Sequence, residues 1–281
     1  MATLREHGSD LAPESPAAPG GTFGTPFDVN WLGLWTLYKK EVQRFVKVIT
    51  QTVVAPMITT LIFLTVFTIA LDRGGRTIGG LPFIEFLAPG LVMMSVIQNA
   101  FANSSSSLMI AKIQGNIVDY LMPPLSHWEL VLGVVMGAVT RGLVVGLAVW
   151  LVMVPVAGAG VLNPLLALFY LLAASTALGL IGFVTALWAE KFDQLAAVTN
   201  FLVTPLSFLS GTFYAVEQLP DAFWWVAHLN PFFYMIDGLR FAITGYTDGT
   251  LWIGAAVIVA SVAALWWFTL HLVRRGYKIR P

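Results

Sequence analysis

Few of the 281 side chains could do chemistry in an apolar setting, and Arg141 stands first among them. It lies about 16 Å along the run Leu130 to Val156, if that run is a helix rising about 1.5 Å per residue. A charge at such a depth is a functional candidate by default. Snorkelling toward the inner face, or pairing with Glu190 or Asp193, would satisfy it structurally, and both readings stand. Two polar stripes recur at near-helical spacing: Ser95, Asn99, Asn103 and Ser106 in one run, and Asn200, Thr204, Ser207 and Gly211 in another. Hydrogen bonding between packed helices and the lining of a substrate path account for them equally well. No GxxxxGK[ST] loop is present to cradle a nucleotide phosphate, so any ATP hydrolysis belongs to another chain. There is no GxSxG elbow and no pair of membrane carboxylates, which argues against a hydrolase and against a carboxylate proton relay. His7, His127, His228 and His271 are scattered and cysteine is absent, which leaves no metal cluster, disulfide or thiol nucleophile to predict. No catalytic, cofactor or metal-ligating residue is therefore expected.

Such sparse chemistry goes with an unusual composition. Hydrophobic residues make up 57% and charged residues 11%, against roughly a quarter charged in an ordinary soluble domain. Lipid, not water, is the solvent this implies. The 15 basic and 15 acidic side chains cancel, so no basic field suggests nucleic acid. Residues 1–29 are rich in Pro, Gly, Ala and Ser and lack the apolar core of a secretory signal, which predicts a disordered cytoplasmic tail.

A bilayer core of about 30 Å requires about 20 apolar residues in a helix, because unpaired backbone groups cannot face lipid. Six segments qualify: Thr52 to Leu71, Phe86 to Leu108, Leu130 to Val156, Pro164 to Trp188, Leu195 to Tyr214 and Leu251 to Val273. With both termini inside, the inner segments carry eleven basic residues: Arg5, Lys39, Lys40, Arg44, Lys47, Lys112, Lys191, Arg274, Arg275, Lys278 and Arg280. The outer segments carry three, Arg73, Arg76 and Arg240, so the positive-inside rule places both termini in the cytoplasm.

Ahead of the first span, Trp31, Leu34, Trp35, Tyr38, Val42, Phe45, Val46 and Ile49 alternate with Lys40, Gln43, Arg44 and Lys47 at helical intervals. This predicts an amphipathic helix on the inner membrane face, either an anchor or a mechanical link. The segment EQLPDAFWWVAHLNPFFYMIDGLR fits short helices dipping into the outer leaflet, with Trp224, Trp225, Phe232, Phe233 and Tyr234 at interfacial depth. Pro205 predicts a kink in the fifth span. GVVMG (Gly133 to Gly137) and GLVVG (Gly142 to Gly146) fit close helix packing within one subunit or dimerisation. The stretch IAKIQGNIVDYLMPPLSHWE either caps the bundle or docks into another protein. The expected organisation is a tail at 1–29, an interfacial connecting helix at 30–50, an all-α six-helix membrane domain at 51–273 and a basic end at 274–281.

Over about residues 30 to 280 the chain resembles ABC-2 type transporter permeases, most closely the YadH-like branch of bacterial inner-membrane subunits. The likeness is carried by FLAPGLVMMS, KIQGNIVDYLMPPLS, TRGLVVG, KFDQ, LSGTFYAVEQLP and LNPFFYMIDGLR. It implies a non-catalytic, multi-pass inner-membrane subunit of an exporter, working as a homodimer over two ATPase subunits that bind ATP and Mg, with no cofactor in this chain. By the same likeness Lys112 to Pro124 matches the family's coupling helix, which makes Lys112, Gln114, Asn116, Asp119, Tyr120, Pro123 and Pro124 coupling candidates. Trp31 to Ile49 matches its connecting helix and Glu217 to Gly245 its outer re-entrant helices. The first and fifth spans would meet around the path, which puts Phe63, Phe67, Asn200, Thr204, Ser207 and Phe208 on its lining. The implied substrate is amphipathic or hydrophobic: a lipid, a lipid-linked glycan or a drug. An ATP-independent transporter or channel, the competing reading, fits the spans but not the shortage of ionisable residues at membrane depth.

Overall fold

The computed structural model describes residues 29–71, 77–117, 120, 124–158, 160–216 and 221–278. The tail expectation falls outside them, apart from Val29. Asn30 starts the first helix, α1 (Trp31–Val46), by accepting from Gly33 N at 2.9 Å on its Oδ1, which satisfies one of the orphan amides of the first turn. A π-helical turn at Thr50–Val54 leads into α2 (Ala55–Leu71). Pro56 explains that turn: it has no N–H to give the preceding turn and its ring would crowd the carbonyl four residues back, so the helix widens just before it. The device recurs in the predicted fifth span. There the structure has α6 (Phe192–Val198), a π turn at Thr199–Val203 and α7 (Thr204–Leu209), with Pro205 following the π turn at the same offset. The expected irregularity at Pro205 is thus a π turn.

A two-residue hairpin, β1 (Thr77–Ile78) and β2 (Leu81–Pro82), precedes α3 (Phe83–Ile113). Its turn needs Gly79 and Gly80 at φ +57° and +83°, and Gly79 is seated so closely on the Tyr246 ring that a Cβ would fall 1.9 Å from it. The long helices α4 (His127–Ala157) and α5 (Pro164–Trp188) follow. Glu129 starts α4: its Oε2 accepts from Ser126 N at 2.6 Å and Ser126 Oγ at 2.7 Å. Its Oε1 takes the Asn30 amide at 2.7 Å, so one carboxylate fixes the starts of both α1 and α4. Two short helices, α8 (Asp221–Leu229) and α9 (Pro231–Thr244), precede α10 (Leu251–Arg274).

Among the described residues five helices are long and apolar enough to cross a membrane: Thr50–Ala70, Phe83–Ile113, His127–Ala157, Pro164–Trp188 and Leu251–Arg274. The segment expected at Leu195 to Tyr214 is not a sixth by that measure. Its helix starts earlier, at Phe192 with polar Asp193 and Gln194 next, and stops at Leu209. The helix α3 is the buried axis of the bundle, packed between α4 and α5 and crossed by α9, whereas α2 and α10 leave most of their surface exposed.

The glycine pairs of α4 are spent inside the chain. A Cβ at Gly133 would lie 2.6 Å from Leu37, and one at Gly137 2.5 Å from Cβ of Glu41, so GVVMG is the groove in which α1 rests. Gly142 meets Ser175 on α5 and Gly146 meets Val96 on α3. Close packing within one subunit accounts for both motifs. The face that α1 buries is Leu34, Leu37, Glu41 and Phe45, while Trp31 and Trp35 are exposed, so the sequence-predicted apolar face is only partly the packed one. Phe232, Phe233 and Tyr234 are likewise buried in the core, and of the aromatic group expected at the interface Trp225 is exposed.

Candidate functional site

Polar side chains gather at the end of the bundle that carries α1 and the carboxyl terminus, here the terminal end. Glu41 is at its centre, with 0% exposure. Ser107 Oγ donates to Glu41 Oε1 at 2.6 Å and Tyr120 OH donates to the same oxygen at 3.0 Å. Arg44 Nη2 approaches Oε2 at 3.3 Å. Burying a carboxylate without partners would be prohibitive, and charged hydrogen bonds of roughly 1.5–3 kcal/mol each make this one tolerable. Arg44 extends the network to α3, donating from Nη2 to the Asn103 carbonyl at 2.7 Å and Asn103 Oδ1 at 2.9 Å, and from Nη1 to Ser106 Oγ at 3.0 Å. Burial, and then the negative charge of Glu41, push the Tyr120 phenol up from its ordinary value, so it stays a proton donor. The Lys40 ammonium caps the assembly 4.1 Å over the Tyr120 ring. One buried carboxylate therefore links α1, the last turns of α3 and the segment that joins α3 to α4.

The polar stripe of α3 bonds outward along its whole length. Asn103 and Ser106 hold Arg44, Asn99 holds Arg141, and Ser95 Oγ lies 3.0 Å from Thr60 Oγ1 on α2. Arg141 does not pair with Glu190 or Asp193. Its Nη2 and Nε donate to Asn99 Oδ1 at 2.9 and 3.3 Å, while Glu190 is taken by Lys278 Nζ at 2.6 Å, because α4 places Arg141 half a helix away from the loop that carries those acids. Between α2 and α3 opens a cleft of about 320 Å³, with Gln51, Thr59, Thr60, Ser95, Gln98 and Asn99 among its walls, beside Phe63, Leu91 and Met94.

The predicted path residues divide. Phe63, Phe67 and Phe208 come together, with Phe63 6.2 Å from Phe67 and edge-on to Phe208 at 6.5 Å. Phe213, which sequence reasoning missed, completes the cluster at 4.2 Å from Phe67 and stacked on Phe208 at 5.1 Å. Ser207 is fully buried and donates to its own helix at Val203 O, 2.7 Å. Thr204 is half-buried and Asn200 exposed, so the second stripe does not form one lining face.

At the far end a second ionic group is enclosed. Arg240, fully buried, donates to Gly211 O at 2.6 Å and Phe86 O at 3.3 Å, stacks 3.8 Å from the Phe86 ring and faces Asp248 at 3.6 Å. Asp237 accepts from Thr247 Oγ1 at 2.6 Å and from the amides of Asp248 and Gly249 at 2.8 and 3.2 Å. These bonds hold α9 and the loop after it against the start of α3 and the turn after α7.

The sequence has counterparts among known proteins. The family model described as "ABC-2 type transporter" matches residues 33–244. The sequence is 33% identical over 250 residues to the inner membrane transport permease YadH of Escherichia coli (strain K12), spanning 89% of this chain and 98% of that protein. The chain belongs to the ABC-2 type transporter family. More distant similarity reaches nodulation protein J of Rhizobium leguminosarum bv. trifolii, 25% over 231 residues, spanning 82% and 85% of the two chains. The nodulation protein J of Neorhizobium galegae is 24% identical over 251 residues, spanning 88% and 94%. Membership makes the chain the multi-pass inner-membrane subunit of an ABC transporter, a non-catalytic partner of an ABC ATPase.

The coupling candidates of this permease do not share one surface. Gln114 and Asn116 are exposed, on a turn that Gly115 makes at φ +73°. Pro124 is exposed and its carbonyl accepts from Asn30 Nδ2 at 3.3 Å. Lys112 instead reaches inward: Nζ donates to the carbonyls of Ala186, Leu187 and Ala189 at 3.0, 2.8 and 2.9 Å and closes the carboxyl end of α5. Tyr120 is 5% exposed and its hydroxyl bonds within the Glu41 network. Asp119 and Pro123 lie outside the described residues. Glu41 itself was missed, although its spacing on the Leu34, Leu37, Phe45 stripe marks it as inward-facing.

Proposed function

We propose that this permease is the membrane half of an exporter, two copies standing over two ATPase chains, with the terminal end in the cytoplasm. In this reading Phe192–Leu209 is the fifth of six crossings and α8 and α9 are re-entrant helices on the outer side. ATP and Mg bind the partner, whose closure pushes on the turn Gln114-Gly115-Asn116. The observation that supports transmission is the Glu41 linkage: the segment behind that exposed turn is bonded to α1 and α3 at once, so a displacement there moves both helices. Coupling requires that the ATP-bound motor favour one bundle arrangement through differential contacts. The cargo is an amphipathic or hydrophobic molecule moved outward from the inner leaflet or cytoplasm.

The test is Gln114→Trp together with Asn116→Trp in the reconstituted complex with its ATPase. Transport and transport-linked ATPase stimulation should fall together while the thermal midpoint of the permease alone is unchanged. Wild-type coupling in that variant would remove the turn from the docking surface, and movement of cargo by the permease without any ATPase would end the reading.

A further inference from the structure

We infer that the cleft between α2 and α3 seats the anionic headgroup of a membrane amphiphile, with Arg141 as its counter-charge. The inference rests on the permease reading above and names a substrate class for it.

Among the described residues Arg141 has no carboxylate partner. Two of its nitrogens share one neutral acceptor, Asn99 Oδ1, and Nη1 has no hydrogen-bond partner among the described residues. Among the described carboxylates, Glu41 is engaged by Arg44, Ser107 and Tyr120, Glu129 by Ser126 and Asn30, and Glu190 by Lys278, while Asp193 makes no ion pair with Arg141. The other charge that acts on it, Arg44, has the same sign. A desolvated guanidinium among apolar helices is costly unless an anion joins it, and a planar guanidinium suits phosphate or carboxylate oxygens.

Asn99 connects that charge to an opening. It is at once the acceptor for Arg141 and a wall of the cleft, where Gln51, Thr59 and Gln98 add amide and hydroxyl groups. The bond between Thr60 and Ser95 ties α2 to α3 behind it. The volume, about 320 Å³, is at the small end of ligand sites, which run from about 300 to 1,000 Å³. It holds a headgroup and not a whole lipid, whose chains would lie along Ile58 and Ile62, the exposed apolar face of α2.

The experiment uses the full-length permease in nanodiscs containing phosphatidylglycerol and phosphatidylcholine, with retained lipid counted by native mass spectrometry. Wild type should retain phosphatidylglycerol about tenfold over phosphatidylcholine, Arg141→Gln should lose the preference, and Arg141→Lys should keep part of it. The thermal midpoint of each variant shows that it is folded, and Arg141→Lys preserves the charge if Arg141→Gln does not fold. Equal retention of the two lipids by wild type, or an undiminished preference in folded Arg141→Gln, would overturn the inference. Displacement of the lipid by millimolar inorganic phosphate would make this a free-anion site and overturn the lipid assignment. No ATPase enters the lipid measurement: equal retention by a wild-type subunit that still exports with its ATPase removes only this inference, whereas a lipid preference in a chain that recruits no ATPase removes the permease reading and the substrate assignment with it.

Discussion

Arg240 at the far end and Arg44 at the terminal end each face a carboxylate, Asp248 at 3.6 Å and Glu41 at 3.3 Å. Arg240 has no exposure and its remaining bonds go to backbone carbonyls, Gly211 and Phe86, from chain segments distant in sequence. Arg44 keeps 26% of its side chain exposed, and its bonds and those of Glu41 run mostly to side chains that can rotate, Ser106, Ser107, Asn103 and Tyr120. An enclosed ion pair on fixed carbonyls has no cheaper arrangement to move to, because any shift strands a dry charge. A network of rotatable hydroxyls and amides whose cation keeps some contact with solvent can exchange partners. The far end is therefore held to α3 by bonds with no cheap alternative, whereas the terminal end has partners that can exchange, as the proposed coupling requires.

The largest expected effect lies at the enclosed end. Arg240→Leu leaves Asp248 and the Gly211 carbonyl without their cation and should cost about 3–5 kcal/mol, read as a large fall in the thermal midpoint of the detergent-solubilised protein. A midpoint equal to wild type would show that the far end is not locked by charge. Next comes Gly137→Leu, which drives a side chain into Glu41 and should cost about 1–3 kcal/mol by overpacking. Because the chain has no cysteine, Leu37→Cys reports this directly: maleimide labelling should be slow alone and fast beside Gly137→Leu. Unchanged labelling would mean that α1 does not depend on the groove.

Glu41→Gln keeps the volume and weakens the charged bonds, with an expected cost of about 1–2 kcal/mol, below that of Arg240→Leu. Its sharper signature is functional, a drop in transport per ATP hydrolysed in the assembled complex. A cost above that of Arg240→Leu would invert the contrast between the two ends. The smallest effect belongs to the exposed pair Lys278 and Glu190. Lys278 holds the Glu190 carboxyl below its usual range, and Glu190 in turn holds the Lys278 ammonium above its own. The contribution is thus present at neutral pH, fades as acid takes the pH below about 4 through the lowered Glu190 value, and is lost in base as the pH rises through the raised Lys278 value. Lys278→Ala should lower the midpoint slightly at pH 7 and not at pH 3, and high salt should shrink the difference. A shift that persists at pH 3 would point to packing instead of charge.

The long spans were legible because lipid permits few answers: an apolar run of that length must be a helix. The predicted Pro164 to Trp188 coincides with α5, where Asn163 and Pro164 supply a start signal, while α3 runs beyond the predicted Phe86 to Leu108 at both ends, and its last turn is held by Lys112 on the carboxyl end of α5. GVVMG and GLVVG announced close approach without naming the partner. For α1, helical period marked the apolar residues but not which of them pack, since Trp31, Trp35 and Leu37 are all apolar and only the groove at Gly133 and Gly137 selects Leu37 and Glu41. Lys112 and Tyr120, coupling candidates by resemblance, turn inward to partners on α5 and α1 that no local pattern connects to them.

Sequence by itself determined what is local or compositional: the solvent, the helices, their caps, the prolines that widen two of them and the lack of a nucleotide loop. Tertiary structure alone decided which charges meet. Arg141 reaches Asn99 across 42 residues, Tyr120 reaches Glu41 across 79 and Arg240 reaches Phe86 across 154. Such pairs leave no periodic trace, because a buried charge takes whatever partner packing brings within about 3 Å, and only the packed bundle fixes that distance.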